Sequence, residues 1–469
     1  MRDGGPFGAG AARIALFARR ISLLETIMKL SRTLFAGLVV ACGIVLVVRA
    51  SRRRPLAPQR GIATMAPMLS ESEIRDRDIA FFEKRATEDT ASANDRAQLA
   101  ILYMDRARST GGFSDYERAE RLARKSLSLR VGHNEPTFGL LAGALLARHD
   151  FAGALTVAKT IDSLDPGVAD HIALLGEIEL ETGDYASAKA HFESLKFDGD
   201  QFTIAARVAR WRELTGSAEA ARRLLRSAVA KVARRDDLPR EQVSWFYYRL
   251  GELELRTGNL DSADVAYRRG LNVFPDDYRI LGGLARLAAA RGNWQAAIDY
   301  GNQAIAVQLD PATLGTISDA YTALGDTANA AQYARAMTTS ALRQPGPIHR
   351  AWGLFVLDHG ARSDVDRVLA KTRIEMKTRK DIYGYDLLAW GLHRQGRDVA
   401  AREAIEHALS QNTEDAQLYY HAGMIERSLG DATRARTYLD RALTLNPGFR
   451  GTQARSARTA LDSLGGRHV

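Results

Sequence analysis

The stretch SWFYYRLGELELRTGNLDSADVAYRRGLNVFPDD, residues 244–277, decides the fold. It reads as two helices joined by a tight turn. Gly251 sits inside the first helix, Gly258 ends that helix seven residues later, and Ala263 follows five residues further on, in the second. Gly258 supplies the left-handed conformation that closes a helix. Pro275 stops the second helix, because the residue before a proline is pushed out of helical geometry. Two antiparallel helices approach to about 8–9 Å only where the meeting residues are small, so Gly251 is expected to face Ala263. Tyr267 then fills the space toward whatever stacks next.

The same pattern recurs outward in both directions. The helix-ending position is held by His149, Gly183, Gly216, Gly258, Gly292, Gly325, Gly360, Gly396 and Gly430, at spacings of 34, 33, 42, 34, 33, 35, 36 and 34. The one long interval places its extra residues in the charged stretch 234–239. A near-constant period of about 34 marks a helix–turn–helix solenoid. No such unit buries its apolar face alone, so stability comes from stacking neighbours. An interval just after residue 93 is degenerate, and Thr110-Gly111-Gly112 is expected to lengthen its turn.

In these slots the chain resembles the tetratricopeptide-repeat family from about residue 93 to 449. Residues 244–277 place Tyr247, Leu250, Gly251, Gly258, Ala263, Tyr267, Gly270 and Pro275 on the family pattern. Residues 169–201 place Leu175, Gly176, Gly183, Tyr185, Ala188 and Phe192 there, and residues 416–449 place Tyr419, Gly423, Gly430, Ala435, Leu439, Ala442 and Pro447. Gly176 and Gly423 are expected to face Ala188 and Ala435. The resemblance implies an all-α, right-handed solenoid of about ten helix–turn–helix repeats, preceded by a single hydrophobic N-terminal helix.

Charge and composition narrow the function. The 469 residues carry 65 Lys/Arg against 56 Asp/Glu, a formal net charge of +9. Eleven of those bases and two of the acids lie in residues 1–60, which leaves 54 of each beyond. Binding to phosphates by counterion release needs an excess of bases, so the electroneutral body does not read as a nucleic-acid binder. One cysteine, Cys42, excludes a disulfide framework or a Cys-ligated metal site. The ten histidines form no His-x-x-x-His pair. Neither a phosphate loop nor a nucleophile elbow is present. The repeats consume the chain, so the expectation is no enzyme, no cofactor, no metal and no small-molecule substrate.

The expected organisation is a basic leader (1–32), a hydrophobic segment (33–48), an Arg/Pro linker (49–69), a capping helix (70–92), the solenoid (93–449) and a closing helix with a tail (450–469). The segment 33–48, TLFAGLVVACGIVLVV, is uncharged and bracketed by Arg32 and Arg49. As a helix it spans about 24 Å, short of a hydrocarbon core of about 30 Å, and snorkelling arginines extend it. Three readings fit: an uncleaved single-pass anchor, a signal starting at Met28 and cleaved near Ala50, and a lipoprotein through Cys42. Arg49 and Arg52–Arg54 argue against efficient cleavage, and the apolar run past Cys42 argues against a lipobox. An uncleaved membrane anchor is therefore the expectation; cleavage gives a secreted or periplasmic protein. Five Lys/Arg flank the segment on either side, which sets no orientation.

The resemblance also implies a binding surface. In the family the first helix of each repeat lines a concave groove through its second, fifth, ninth, twelfth and thirteenth positions. On this chain these include Trp245, Tyr248, Arg256, Arg279, Arg286, Tyr383, Asp386, Trp390, His393, Arg394, Tyr420 and Arg427, with residues 383–394 as the expected centre. Aromatics beside arginine dominate interface energetics, so the groove is expected to hold a protein or peptide partner. The Lys/Asn set with which some relatives clamp an acidic C-terminus is missing at Ala173, Glu177, Gly282 and Arg286. The implied function is a non-catalytic, membrane-tethered adaptor in bacterial envelope assembly or signalling. The alternative is an anionic-polymer or nucleic-acid module using the ridge Arg222, Arg223, Arg226, Lys231, Arg234 and Arg235, although Glu219, Asp236 and Asp237 beside it favour a solvated face.

Overall fold

The computed structural model describes residues 69–465 apart from 131, 198, 200 and 344–347; the basic leader, the apolar run 33–48 and nearly all of the linker lie outside the described residues. Among the described residues there are 22 helices and no strand, and none of these helices is long and apolar enough to cross a membrane. The first, α1 (Glu71–Glu88), opens with a capping box. The Ser70 side chain accepts from the Glu73 amide while the Glu73 carboxylate accepts from the Ser70 amide.

Twenty helices then form ten pairs. In order these are α2 and α3 (Ala93–Thr110, Phe113–Leu129), α4 and α5 (Glu135–Ala147, Phe151–Leu164), and α6 and α7 (Ala169–Thr182, Tyr185–Ser194). Next come α8 and α9 (Phe202–Leu214, Ala218–Val232), α10 and α11 (Arg240–Arg256, Leu260–Val273), and α12 and α13 (Tyr278–Ala290, Trp294–Val307). The last four are α14 and α15 (Pro311–Ala323, Thr327–Arg343), α16 and α17 (Arg350–His359, Arg362–Glu375), α18 and α19 (Ile382–Arg394, Asp398–Leu409), and α20 and α21 (Ala416–Ser428, Ala432–Leu445). A closing helix, α22 (Gly451–Ser463), follows.

The turns inside the pairs share one chemistry. At Gly183, Gly258, Gly292 and Gly430 the backbone is left-handed, with φ between 73° and 88°. The next residue donates its amide to the carbonyl five positions back, as Asp184 does to Glu179 (2.9 Å) and Asn259 to Glu254 (2.8 Å). In three of the four turns that same residue caps the second helix: the Asp184 carboxylate accepts from the Ser187 amide, Asn293 Oδ1 from that of Ala296, and Asp431 from that of Arg434. His149 adopts the same conformation at φ 60° without being glycine. Gly360 ends its helix but is extended, at φ −78°. Around the degenerate first pair the expectation of a longer turn fails. Gly111 closes α2 at φ 70° and α3 starts two residues later, so the extra length goes into an 18-residue helix.

Packing inside the pairs adds a large residue to the sequence reading. Side chains grown on Gly176, Gly251 and Gly423 meet Phe192, Tyr267 and Leu439 closer than 3.0 Å, and at Gly423 the Ala435 carbonyl oxygen lies at 3.2 Å. The glycine makes room for the large residue four positions after the alanine. Tyr267 is fully buried between Gly251 of its own pair and Gly283 of the next, and its phenol donates to Glu252 at 2.5 Å.

The ten pairs complete more than one superhelical turn. At three places a loop before a later helix reaches the C-terminal end of a first helix six pairs earlier. At α6, the Lys380 amide donates to the Thr182 carbonyl (2.8 Å), and Arg379 Nε donates to the Glu181 carbonyl (2.8 Å). At α8, Thr413 Oγ1 donates to the Leu214 carbonyl (2.5 Å); at α10, Asn446 Nδ2 donates to that of Leu255 (2.9 Å). The last carbonyls of a helix have no partner within it, and here the following turn supplies one. One hydrophobic cluster crosses the same seam, joining Leu180, Trp211 and Leu214 to Trp352, Trp390 and Leu418.

Candidate functional site

The first helices from α8 to α20 surround a cavity of about 460 Å³. The earlier helices contribute their C-terminal ends: Arg210 from α8, Glu252, Leu255 and Arg256 from α10, Arg286 and Ala290 from α12. The later ones contribute their starts: Leu354 and Phe355 from α16, Tyr383 and Asp386 from α18, Gln417 and Leu418 from α20. The cavity therefore lies at the level of the seam. Its wall combines apolar residues, Trp294, Met337, Leu354, Phe355 and Phe449, with charged ones, Arg210, Glu252, Arg256, Arg286 and Arg350.

Many of the charged groups form a network. Glu213, 4% exposed, is paired with Arg210 (3.2 Å), Arg249 (3.2 Å) and Arg256 (3.2 Å). Burial would raise its carboxyl, but the guanidiniums of Arg256, Arg210 and Arg249 outweigh it and hold the group at about 2. Arg256 also donates to the Tyr383 phenol (2.8 Å), which burial pushes up to about 12, so it stays protonated and donates to Asp415 (3.3 Å). Arg286 pairs with Glu252 (2.5 Å). Arg350 and Arg379 both grip Asp381, at 2.6 and 2.8 Å. Such a set can orient a ligand by hydrogen bonds and shape.

Of the twelve residues expected in the groove, Arg256, Arg286, Tyr383 and Asp386 line this cavity. The other eight lie elsewhere. Trp245 packs edge-on against Phe246 (5.0 Å). Tyr248 joins the cluster around Tyr267, and Arg279 pairs with Asp277 and Glu241, both at 2.7 Å. Trp390, 5% exposed, stacks on His421 (4.2 Å) and donates its Nε1 to Asp358 (2.9 Å). Tyr420 is as buried, against Phe449 and Trp390. His393 turns to Asp398 (2.6 Å), and Arg394 and Arg427 are exposed. The physical reason is position along the helix. Trp390, His393 and Arg394 occupy the far half of α18, beyond the level at which the later turn meets the cavity. Trp390→Ala is accordingly expected to act on stability, costing about 3–5 kcal/mol by urea titration.

The positional rule itself reaches residues left out above. Arg210 and Glu213 are the ninth and twelfth residues of α8, and Asp319 is the ninth of α14. No sequence signal places Trp294 or Met337, which come from second helices. Four of the six bases of the ridge 222–235 form ion pairs. Arg222 and Arg226 both bind Glu254 at 2.9 Å, Arg223 faces Glu219 at 3.6 Å, and Arg235 holds Asp237 at 2.6 Å.

Models of the tetratricopeptide repeat match residues 248–312 and 416–449. Comparison with curated protein sequences returns no match. Among solved structures the chain is similar to a tetratricopeptide repeat protein from Parabacteroides merdae, at 18% identity over 56% of this chain and 99% of that one, with a TM-score of 0.33. It is also similar to PilW, a type IV pilus biogenesis factor, at 16% identity over 46% and 96% of the two chains, with a TM-score of 0.38. A third similarity is to a chain of the APC/C hetero-tetramer Cut9-Hcn1, at 14% identity over 83% and 94%, with a TM-score of 0.32.

Proposed function

We propose that the chain is a non-catalytic adaptor that holds a segment of a protein partner in its ring-shaped interior, tethered to a membrane through residues 33–48, in bacterial envelope assembly or signalling. The observation that carries the adaptor reading is the cavity of about 460 Å³. Its size falls within the range of about 300–1,000 Å³ typical of ligand sites, enough for a few side chains of a partner segment. Its mixture of Trp, Phe and Leu with Arg and Tyr is the mixture that anchors protein segments. The tether rests on the uncharged run between Arg32 and Arg49.

Filling the interior tests this reading. Ala312→Trp and Thr316→Trp place indoles in the cavity, and both are expected to reduce partner capture by the full chain at least tenfold with helix content unchanged. Val399→Glu, on an exposed site 67% accessible in α19, is the control and is expected to capture normally. Equal capture by the filled variants and the control contradicts an interior site.

A further inference from the structure

The charges on the cavity wall are unevenly matched. Arg210, Arg256, Arg286 and Arg350 each have a carboxylate within ion-pair distance: Glu213 for the first two, Glu252 for the third, Asp381 and Glu375 for the fourth. Arg450, the other lining base, is exposed. Two of the acids differ. Asp386, 2% exposed, pairs with no Arg or Lys among the described residues; its Oδ1 accepts from His421 Nδ1 at 2.7 Å, and its Oδ2 has no hydrogen-bond partner there. Asp319, on the same wall, faces His359 Nε2 at 3.0 Å and likewise no Arg or Lys. His421 does not cancel the charge of Asp386. The ring is fully buried, stacked on Trp390, and its Nε2 is unpartnered, so a charged imidazole would leave a second N–H unsatisfied in the interior. Its hydrogen bond instead fixes the carboxylate in place. Helix α16, packed between α14 and α18, adds Leu354 and Phe355 to the wall beside these two acids' helices.

We propose that the cavity receives a basic side chain of the partner, a lysine or an arginine, with its charged end at Asp386 and Asp319 and its aliphatic stem against the apolar part of the wall. Each part of such a side chain finds its counterpart. Long basic side chains bury their methylenes on apolar surface and keep the charge at the tip, and Leu354, Phe355 and Met337 supply that surface. The aromatic rings of Phe355 and Trp294 attract a cation as well. A buried carboxylate with an open oxygen and no cation is costly on its own; a partner's cation removes that cost, and Asp386 is already oriented to accept it. An acidic side chain would meet two carboxylates, while the arginines suited to it are already paired. The inference rests on the adaptor reading for where the partner sits, and it adds which kind of residue is read there.

Short peptides test the charge preference without the partner. Dye-labelled alanine pentapeptides with uncharged ends, carrying lysine, arginine, norleucine or glutamate at the centre, are titrated with the full chain and read by fluorescence anisotropy. At least one of the lysine and arginine peptides is expected to bind at least tenfold tighter than the norleucine and glutamate peptides, and the two basic arms tell which cation fits. Asp386→Asn keeps an oxygen for His421 and removes the charge; it is expected to weaken the basic peptide at least tenfold and to leave the norleucine peptide unchanged. Asp319→Asn is expected to act in the same direction. Asp261→Asn, at a fully exposed carboxylate on α11, is the control and is expected to bind as the parent does. Circular dichroism checks the helix content of each variant, and the ranking of peptides on the unsubstituted chain decides whether or not Asp386→Asn folds. Norleucine or glutamate binding as tightly as the basic peptides, no binding by any of the four, or parent affinity in a folded Asp386→Asn chain overturns the proposal. Equal partner capture by the cavity-filled variants counts against the adaptor reading and leaves the peptide ranking intact; loss of the ranking with capture still blocked by filling counts against the basic side chain alone.

Discussion

Glu213→Gln is expected to destabilise the protein by about 3–5 kcal/mol, the cost of removing one member of a buried ion pair while its partners remain. Arg210, Arg249 and Arg256 all converge on this carboxylate. Without it three guanidiniums face one another in a site with little water. A urea titration of the full chain reads the loss, and removing Arg210 as well is expected to cost less than the sum of the single changes. The same chemistry sets an acid limit. The folded carboxyl is held at about 2 against an ordinary 4.5, so its contribution is complete above about 4.5 and is lost as pH falls toward 2. The loss across that window is of the order of 3 kcal/mol. Asp381, lowered by Arg350 and Arg379 against the opposing effect of burial, weakens the structure in the same direction. A midpoint for Glu213→Gln equal to that of the parent, or a parent midpoint unchanged from pH 5 to pH 2.5, contradicts this account of the interior.

Gly183→Ala and Gly292→Ala form the second pair of expectations. Both glycines are left-handed, at φ 88° and 73°, in turns of the same design. Alanine in that conformation costs about 1–2 kcal/mol. At Gly292 nothing lies within 4 Å of the added carbon, so the cost stops there. At Gly183 the carbon meets the Lys380 backbone, which cannot move without breaking the Lys380–Thr182 hydrogen bond. The expected loss is about 3 kcal/mol or more, the sum of backbone strain, overpacking and a lost hydrogen bond. The difference between the two substitutions measures the seam. Equal costs remove it.

Most of the architecture was legible because it is local. A period of 34 with glycine at the helix end follows from turn chemistry within a dozen residues, and the matches at 248–312 and 416–449 fall where that pattern is clearest. The local reading did not show what each glycine admits: the missing side chain of Gly251 makes room for Tyr267. Gly360 ends its helix in phase, with an extended backbone. The site was legible in part for a different reason. The resemblance says which residues of a helix face inward, and Arg256, Arg286, Tyr383 and Asp386 among them line the cavity. It carries no information on how far the superhelix has turned. Closure after six pairs is a sum of small rotations, each set by side-chain volumes at one interface, and it decides which end of a helix meets the cavity. Trp390 and Tyr383 share one helix and one inward pattern, and only the turn of the whole coil separates their surroundings.

Closure after six pairs is best tested by cross-linking. In the full chain with Cys42→Ser, the pair Thr182→Cys and Lys380→Cys joins residues whose backbone atoms lie 2.8 Å apart across the seam. The pair Thr182→Cys and Asn412→Cys is shifted by one repeat. Under mild oxidation the first pair is expected to form its disulfide quantitatively and the second not at all. Equal yields from the two, or a disulfide only in the shifted pair, would show that the coil does not close in this register.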